Sequence, residues 1–424
     1  MELPIILTAA TIVLLLILSV PIAAALGLGV MVGMIAGDLP PEFMMQKVFS
    51  SLDSFPLLAV PLFILAGEIM QKGSMADALL RVSRCLVGHI TGGMAHVSIL
   101  TCMFYGALSG SSPATVAAVG GIMIPAMEKE GYPCDFSAAV NTSAGCLGVM
   151  IPPSVPLIIY GTTVGVSVSD LFIAGILPGI FVGLVLMLTA WILVRRRGIN
   201  VVTRKAARRE TLRAAWEAKH ALLVPVIVLG GIYGGIFTPT EAGAVAVLYA
   251  FTVEGLLLRA LTWDKTWRIL KDATVTNASI FIIMCVACAL GQLLLIYNVP
   301  DAVSGLLTGV AHNKYLLLTV IIAIMLIAGT FMEALANIII LAPLMFPVIK
   351  SAGIDPVHFG IVLITSAALG FLTPPVGVNL FVACGISKMS IEKLSLAVLP
   401  FLLAMLLALA VLAVVPKLSL LLLN

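Results

Sequence analysis

Charged residues are scarce in this chain of 424 residues, and their scarcity excludes several classes of protein. Charged side chains make up 10% of the sequence and hydrophobic ones 61%, whereas soluble domains carry about 25% charged residues. No polar segment exceeds about 25 residues, which is far too short for a globular domain of ordinary size. The composition therefore indicates a membrane protein without a separate soluble domain.

A secretory signal peptide is also missing. The N-terminal stretch MELPIILTAATIVLLLILSVP has no basic n-region and no small-residue cleavage site, both of which a signal peptide requires. We interpret it as a membrane segment, in which residues 4–36 form either one long tilted helix or two short ones. Apolar runs that are long enough to cross a bilayer as helices recur along the rest of the chain. The sequence therefore predicts an all-α polytopic membrane protein.

Arginine is absent from two long parts of the chain, between Arg84 and Arg195 and after Arg268. An anionic ligand bound in these parts could not be neutralised by an arginine side chain. Helix N-termini and bound sodium would have to take that role, since both carry positive charge. This is a hypothesis, because a need for hydrophobicity would also exclude arginine.

Basic residues instead crowd one loop at 195–218. They are Arg195, Arg196, Arg197, Arg204, Lys205, Arg208, Arg209 and Arg213. By the positive-inside rule, this loop is cytoplasmic. A nucleic-acid patch or a helix that binds anionic lipid is the functional alternative to a topology anchor.

Proline and glycine recur in the same order in the two halves of the chain, 222 positions apart. The aligned pairs are Pro125 with Pro347, Gly131 with Gly353, Gly148 with Gly370, Pro152 with Pro374, Pro153 with Pro375 and Pro178 with Pro400. Matching Gly/Pro interruptions in the two halves of a very hydrophobic chain are typical of the binding site of a secondary transporter.

Counting membrane crossings outward from the basic loop gives the two copies opposite orientations. The hairpin at Gly110 enters from the cytoplasm and the hairpin at Glu333 from the periplasm, and the broken helices 137–165 and 357–384 follow them. We therefore predict two inverted-topology repeats with re-entrant helical hairpins and broken transmembrane helices. The crossings used in the count lie near 171–194, 219–236, 240–258 and 275–297.

Two amphipathic stretches, 38–54 and 260–273, occupy equivalent places in the halves. We predict that they form interfacial arms on the membrane surface, one on each side. Trp263 and Trp267 suit that depth, because tryptophan is enriched at membrane interfaces.

The helix breaks carry clusters of oxygen-bearing side chains. A break in mid-membrane frees backbone groups, and the freed carbonyls can bind a cation. Ser112–Pro113 and Thr373–Pro374 each resemble an N-cap followed by proline at the first helical position. Hard oxygen ligands suit sodium, whereas the alternative is that small polar residues pack the helices together. The clustered residues are Ser111, Ser112, Thr115, Asn141 and Thr142 in the first half, and Glu333, Asn337, Thr373 and Asn379 in the second.

Three acidic residues in apolar surroundings call for different interpretations. Glu241 completes a capping box with Thr238, which is a structural role. Glu68 lies near a helix end and could extend to the surface or form an ion pair. Glu333 lies at a hairpin tip, and an intramembrane ionisable group is a functional candidate.

Four motifs resemble those of a known family. GSSPATVAAVGGIMIPAM, IPPS, GGIFTPTEAGAVAVLYA and TPPVGVNLFV are similar to the large membrane subunit of TRAP (tripartite ATP-independent periplasmic) transporters, and the similarity extends over essentially the whole chain. The resemblance implies an inner-membrane protein of a bacterium that imports carboxylates or sugar acids with a sodium gradient. It also implies two partners, a small four-helix membrane subunit and a periplasmic substrate-binding protein. No fused four-helix segment precedes Met1, so we expect the small subunit to be a separate chain.

The resemblance further implies an elevator mechanism, in which a transport domain slides against a scaffold, as in the ion transporter superfamily. Residues 90–170 and 312–390 would form the two halves of the transport domain. The remaining parts would be the scaffold and arm of the first repeat (1–89), the linking helices, basic loop, scaffold and arm of the second repeat (171–311) and the C-terminal helix (391–424).

Site residues follow from the same resemblance. The two hairpin tips, Ser-Ser-Pro and Met-Glu-Ala, differ, so we do not expect two chemically equivalent ion sites. One sodium site is expected to use Ser111, Ser112, Thr115, Asn141 and Gly145, and the other Met332, Glu333, Asn337, Gly370 and Thr373. Substrate contacts are expected from Ser112, Pro152, Pro153, Ser154, Thr373, Pro374 and Asn379.

Two other functions remain open from the sequence. A self-sufficient sodium/carboxylate symporter or ion antiporter would have the same architecture without a binding protein. An intramembrane protease is disfavoured, because Ser109 in GALSG lacks the Gly-x-Ser-Gly spacing and no pair of carboxylates is placed for aspartyl chemistry. We therefore expect a transporter and not an enzyme.

Overall fold

The structure is a computed structural model that describes residues 3–18, 20–199, 201, 205–299, 302, 313–330, 334–374 and 377–423. Within these ranges the chain folds into helices and connecting turns, without a strand. Among the described residues, six helices are long and apolar enough to cross a membrane, and up to eight spans result if each of two bent pairs counts as one. The prediction of an all-α polytopic membrane protein is thereby confirmed.

The first part of the chain forms paired helices. Pro21 has a non-helical backbone (φ −52°, ψ 137°) and separates two helices of 15 residues each, so residues 4–36 form two helices rather than one. A separate short helix then occupies the predicted arm at 38–54. The elements are α1 (Leu3–Ile17), α2 (Ile22–Ala36), α3 (Pro41–Leu52), α4 (Ala59–Lys72) and α5 (Met75–Val87).

A hairpin and a broken helix follow, as predicted. The hairpin turns at Gly110 (φ +60°), and a π-helical turn at Val116–Gly120 interrupts its second arm. The broken helix bends by 41° at Ile151–Ser154. The elements are α6 (Gly93–Ser109), α7 (Ser112–Thr115), α8 (Gly121–Lys129), α9 (Cys134–Ala144), α10 (Leu147–Met150) and α11 (Val155–Val164).

The middle of the chain contains the four predicted crossings, with one correction. The expected arm at 260–273 is not a separate element, because it continues into the next crossing as one helix of 34 residues. No proline interrupts this stretch, and the Thr262 hydroxyl accepts the Lys265 N–H at its start, 3.3 Å away. The elements are α12 (Val168–Arg196), α13 (Arg208–Glu217), α14 (Lys219–Tyr233), α15 (Pro239–Phe251) and α16 (Trp263–Ile296).

The second hairpin and broken helix complete the fold. Gly377 (φ +45°) precedes the last segment of this broken helix. A long helix and a short one follow. The elements are α17 (Lys314–Gly329), α18 (Ala334–Ser351), α19 (Pro356–Gly370), α20 (Val378–Ser387), α21 (Ile391–Val414) and α22 (Lys417–Leu420).

Two of the three predicted helix caps are wrong. Helix α7 begins at Ser112, so that Ser111 is its N-cap and makes no side-chain cap bond; the Ser112 hydroxyl instead has a tertiary partner, described below. No helix begins at Pro374, and the Thr373 hydroxyl donates to the Leu369 carbonyl at 3.0 Å. The Thr238–Glu241 capping box is confirmed, because the Glu241 carboxylate accepts the Thr238 N–H at 2.8 Å.

A buried carboxylate joins the two halves near the start of α5. Glu254 follows α15 and is fully buried. It accepts the N–H groups of Ser74 and Met75 at 2.8 and 2.9 Å, and the Ser74 hydroxyl at 3.1 Å. These are the free N–H groups at the first turn of α5. Glu254 therefore stabilises the connection between α4 and α5. Helix α5 is followed by the first hairpin.

Candidate functional site

The tip of the first hairpin packs directly against the break in the neighbouring helix. A Cβ atom added to Gly110 would lie 3.0 Å from the Pro153 carbonyl oxygen and 3.4 Å from the Ser154 Cα. The Ser154 hydroxyl donates to the Val149 carbonyl at 2.5 Å and is buried. Pro152, also buried, packs against Gly175 of α12. The Pro152–Ser154 turn is thus a buried support behind the tip.

Glycine pairs bring each hairpin against its broken helix in the same way. A Cβ on Gly106 would lie 3.0 Å from the Gly148 Cα, and a Cβ on Gly329 would lie 3.1 Å from the Gly370 Cα. Gly148 and Gly370 are the aligned glycines of the two halves. Close backbone approach of this kind requires small residues at helix interfaces, which explains why the halves have glycine at these places.

Oxygen atoms of the first tip lie close to Gly148, on the side where another residue would carry its Cβ. The Thr115 hydroxyl donates to the Ser111 carbonyl at 2.7 Å and lies 3.0 Å from the Ser109 hydroxyl. A Cβ on Gly148 would lie 2.3 Å from the Thr115 Oγ1 and 2.6 Å from the Ser111 carbonyl oxygen. Hydroxyl and carbonyl oxygens are ligands that hard cations prefer.

A second group of polar atoms joins the tip to α20 of the other half. The Asn379 amide donates to the Ser112 hydroxyl at 2.8 Å and to the Thr142 carbonyl at 3.3 Å. A Cβ on Gly145 would lie 3.4 Å from both the Ser112 and the Thr142 carbonyl oxygens. Ser112, Thr142 and Asn379 are all fully buried. The structure therefore brings Ser112, Gly145 and Asn379 together.

Asn141 has its partners elsewhere. Its side-chain oxygen accepts the Ser98 hydroxyl at 2.6 Å, and its amide nitrogen donates to the Ser137 carbonyl at 2.8 Å. Both polar ends of this side chain are thus occupied within α6 and α9. Its assignment to the first ion site stays a prediction.

Asn337 is the aligned counterpart of Thr115 in the second half. Its amide nitrogen donates to the Met325 carbonyl at 3.2 Å, and the residue is fully buried. Its side-chain oxygen has no hydrogen-bond partner within the part of the chain that the structure describes. A buried acceptor without a partner costs about 1–3 kcal/mol, so a ligand at this oxygen would stabilise the fold. Met332 and Glu333, the predicted tip residues, lie outside the described residues.

A cavity lies between the first hairpin tip and two long helices. Its volume is ≈ 410 Å³, within the range of small-molecule sites of about 300–1,000 Å³. One wall is formed by the tip with Ser109 to Ala114, and the other by α4 and α16. Among the predicted substrate residues, Ser112 belongs to this lining; the roles of Pro152, Pro153, Ser154, Thr373, Pro374 and Asn379 stay predictions.

Glu68 is the one charged side chain among the described residues that line this cavity, and no lysine or arginine accompanies it there. Its Oε2 lies 2.9 Å from the Lys72 Nζ, an ion pair without hydrogen-bond geometry. The Lys72 Nζ also donates to the Asp272 carboxylate of α16 at 2.5 Å. Of the two predicted alternatives for Glu68, the structure shows the ion pair.

Three residues of this region were not predicted as part of the site. Ser109, which fits no protease motif, lies with its hydroxyl 3.0 Å from that of Thr115. Thr276 and Ser279 of α16 line the cavity opposite the tip. Their spacing of three within an apolar helix puts both on one face, and this signal could have identified them.

Comparison with known proteins gives a family match over nearly the whole chain. Residues 9–418 match the model of the family described as "Tripartite ATP-independent periplasmic transporter, DctM component". The isethionate TRAP transporter permease protein DctMQ of Oleidesulfovibrio alaskensis is 44% identical over 402 residues, covering 95% of this chain and 63% of that protein. This chain therefore spans less than two thirds of that relative.

A second relative matches along most of its own length. The C4-dicarboxylate TRAP transporter large permease protein DctM of Pseudomonas aeruginosa is 39% identical over 378 residues, covering 89% of this chain and 88% of that protein. Among solved structures, the YdaH transporter of Alcanivorax borkumensis, whose crystal structure is described as having an unusual topology, superposes with a TM-score of 0.66. That match has 15% sequence identity and covers 97% of this chain and 98% of that one, and it shows similarity of fold alone.

Proposed function

This chain belongs to the DctM component family of TRAP transporters and is a multi-pass protein of the bacterial inner membrane, and from this premise we propose that it imports a small organic anion in symport with sodium. The observation that carries the proposal is the cavity of ≈ 410 Å³ between the first hairpin tip and helices α4 and α16. The tip residues that line this cavity are also those whose oxygens cluster against the broken helix. A substrate and a cation could therefore bind side by side.

The proposed substrate is a dicarboxylate or a sugar acid. The relatives are named for isethionate and for C4-dicarboxylates, which are small organic anions. Because the described lining of the cavity contains no lysine or arginine, the anion would depend on bound cations and on helix N-termini for its neutralisation. This dependence gives a physical reason for coupling the anion to sodium.

The sodium ions are cargo in this proposal, and oxygen atoms in each half of the chain support their binding. In the first half these are the oxygens of Ser111, Ser112 and Thr115, which approach the broken helix closely because Gly145 and Gly148 carry no side chains. In the second half the unpartnered oxygen of Asn337 supports a cation site next to Gly370. Thr373, Met332 and Glu333 remain expected ligands of that site.

The proposed mechanism is of the elevator type. Residues 90–170 and 312–390 would move as one transport domain, because the Ser112–Asn379 hydrogen bond and the buried packing around it tie these segments together. Residues 1–89 and 171–311 would form the scaffold, with 391–424 as the C-terminal helix. The two hairpins would enter from opposite sides of the membrane, as an inverted repeat requires.

The proposed partners are a small four-helix membrane subunit and a periplasmic substrate-binding protein. The family description names a tripartite periplasmic system, which supports both. No covalent chemistry is proposed for this chain, since its proposed role is transport. The alternative is a self-sufficient sodium/carboxylate symporter or an ion antiporter.

Uptake into proteoliposomes tests the proposal. Vesicles would contain this chain with and without its small subunit and binding protein, and labelled carboxylates, sugar acids and isethionate would be offered under an inward sodium gradient. We expect uptake that requires all three proteins and sodium. Uptake by this chain alone would instead identify a self-sufficient carrier, and equal uptake with potassium in place of sodium would remove the coupling ion from the proposal.

A further inference from the structure

A second cavity, of ≈ 290 Å³, lies where α13 meets α14, beside the start of α5. Three basic side chains, those of Arg81, Lys219 and His220, line it together with the carboxylate of Glu217. It is separate from the hairpin tips, and the transport proposal above does not use it.

Helix α13 turns its two large apolar side chains away from the protein. Ala214 and Ala218 are buried and form a small core with Ala78 and Val82 of α5. Leu212 and Trp216, four residues apart on the opposite face, are 72% and 70% exposed. An apolar pair that points outward from a helix rich in arginine is typical of segments that lie in the membrane interface.

The orientation of α13 fits an interfacial position. It is bent by 60° from α14, and α14 carries the apolar sequence of a predicted crossing. If α14 crosses the bilayer, α13 is strongly inclined toward the membrane plane. Trp216 would then lie at the headgroup level, where tryptophan is enriched.

The charge around this cavity favours an anionic ligand. Residues 205–219 contain five lysines and arginines and two glutamates. Glu217 is shared by Arg81 and Arg213, at 3.5 and 3.1 Å, so it does not neutralise both. The Lys219 ammonium lies 3.7 Å from the centre of the Trp216 ring, which holds a cation at the rim of the cavity.

We propose that this cavity and the outward face of α13 bind the phosphate headgroup of an anionic phospholipid. Arg81 and Lys219 would face the phosphate, while Trp216 and Leu212 would contact the upper acyl chain. Basic pockets beside membrane helices bind such headgroups. The exposed apolar pair favours a lipid over free phosphate, which would leave both side chains in water. Because α5 connects α4 to the first hairpin, the lipid would contact the joint between the proposed scaffold and transport domains.

Quenching of tryptophan fluorescence by brominated lipid tests this proposal in the full-length chain. Trp191, Trp263 and Trp267 would be replaced by Phe, which leaves Trp216 as the reporter. The protein would be reconstituted in phosphatidylcholine vesicles that contain an equal mole fraction of either dibrominated phosphatidylglycerol or dibrominated phosphatidylcholine. We expect stronger quenching by the brominated phosphatidylglycerol.

Substitution of the two cations identifies the site. Each of R81Q and K219Q should reduce the preference for phosphatidylglycerol about fivefold, the effect of one basic residue near an anionic surface, while K219R should retain it. The matched control is K314Q, because Lys314 also lies over an aromatic ring, that of Tyr315, at 5.2 Å, but outside the basic segment. This variant should leave the preference unchanged.

Three results would overturn the proposal. Equal quenching by the two brominated lipids would mean that Trp216 contacts the membrane without a headgroup site. Absence of quenching by both would mean that a protein surface covers α13. A preference that survives R81Q and K219Q would place any lipid site elsewhere.

Discussion

The Cys146 thiol donates to the carbonyl oxygen of Ala368 at 3.1 Å, and the two residues are 222 positions apart. That separation is the spacing of the internal repeat, so each residue contacts its own counterpart in the other half. A contact between equivalent residues is what a two-fold axis between two repeats produces. The two broken helices therefore meet next to the oxygens proposed to bind sodium, and this contact supports the proposed inverted repeat.

Removing one oxygen from each proposed ion cluster should weaken the sodium response. We expect T115V and N337A to raise the sodium concentration for half-maximal uptake roughly 5- to 150-fold, since removing one polar partner at a buried site costs about 1–3 kcal/mol. Sodium titration of uptake in proteoliposomes measures this. The control is T365V, whose buried hydroxyl donates to the Ile361 carbonyl of its own helix at 2.7 Å. An unchanged sodium response in both test variants would remove Thr115 and Asn337 from the proposal.

The hydrogen bond between Ser112 and Asn379 should give non-additive losses of stability. S112A and N379A each break the same 2.8 Å contact, so the double variant should lose less stability than the sum of the single variants. We expect a coupling energy of about 0.5–1.5 kcal/mol. In thermal unfolding in detergent, the melting temperature of the double variant should therefore fall by less than the sum of the two single decreases. S112A combined with T266A, on the exposed start of α16, should be additive. Additivity of S112A and N379A would argue against a rigid connection between the two halves.

Glu254 should matter more for stability than Glu241, although both carboxylates cap helices. The amide oxygen of E254Q can still accept the N–H groups of Ser74 and Met75 but carries no negative charge, and we expect a loss of about 1–2 kcal/mol because hydrogen bonds to charged groups are the stronger ones. E241Q acts on an exposed, local capping box, and its effect should be clearly smaller. Thermal unfolding of the two variants in one detergent gives the comparison. Equal melting temperatures would show that the Glu254 contacts contribute little.

Gly148 should tolerate no side chain. The Cβ of G148A would lie 2.6 Å from the Ser111 carbonyl oxygen, a backbone atom that can move only with the hairpin tip, so we expect loss of uptake at normal expression. In G291A on α16 the new Cβ has no neighbour within 4 Å, and alanine in a helix favours stability by about 0.5–1 kcal/mol over glycine. Uptake and melting temperature should therefore be unchanged or higher in G291A. Normal uptake by G148A would show that the tip and the broken helix are more loosely packed than the structure indicates.

A disulfide between scaffold and hairpin should stop an elevator. A Cβ on Gly67 of α4 would lie 3.2 Å from the Ser109 Cα, so cysteines at these two positions are close enough to be linked. In a background without the native cysteines, oxidation of G67C/S109C should abolish uptake and reduction should restore it. Each single variant, treated with the same oxidant, is the control. Uptake that continues with the crosslink fully formed would exclude movement of the hairpin against α4.

Local patterns in the sequence predicted most helices and their breaks, although the expected arm at 260–273 is continuous with the next crossing, and a tertiary contact explains the error at Ser112. The capping box at Thr238–Glu241 depends on neighbouring residues and is confirmed, and the break at Pro21 decides for two helices where the sequence had left one or two open. The predicted cap at Ser112 is wrong because Asn379, 267 positions away, binds its hydroxyl. No local pattern contains that information.

Contacts between distant segments also explain why the lining of the cavity was not predicted. The cavity is bounded by α4 and α16 opposite the hairpin tip, and the facing of these elements is set by packing between distant segments. Glu254 was overlooked for the same reason, since its partners Ser74 and Met75 lie about 180 positions earlier in the chain. Residue types alone indicated that oxygens gather at the breaks, but not which of them meet.

Because helix α16 is continuous, the angle about its axis between its tryptophan side chains and its cavity-lining side chains is fixed. Its 34 residues extend over about 51 Å, so its first turns, with Trp263 and Trp267, lie on the same rigid rod as Thr276 and Ser279. Inserting one residue between these two groups would rotate one relative to the other by about 100°. Anchoring of the tryptophan end thereby determines which side chains of α16 face the first hairpin. The orientation of this wall of the cavity is thus set at the other end of the helix.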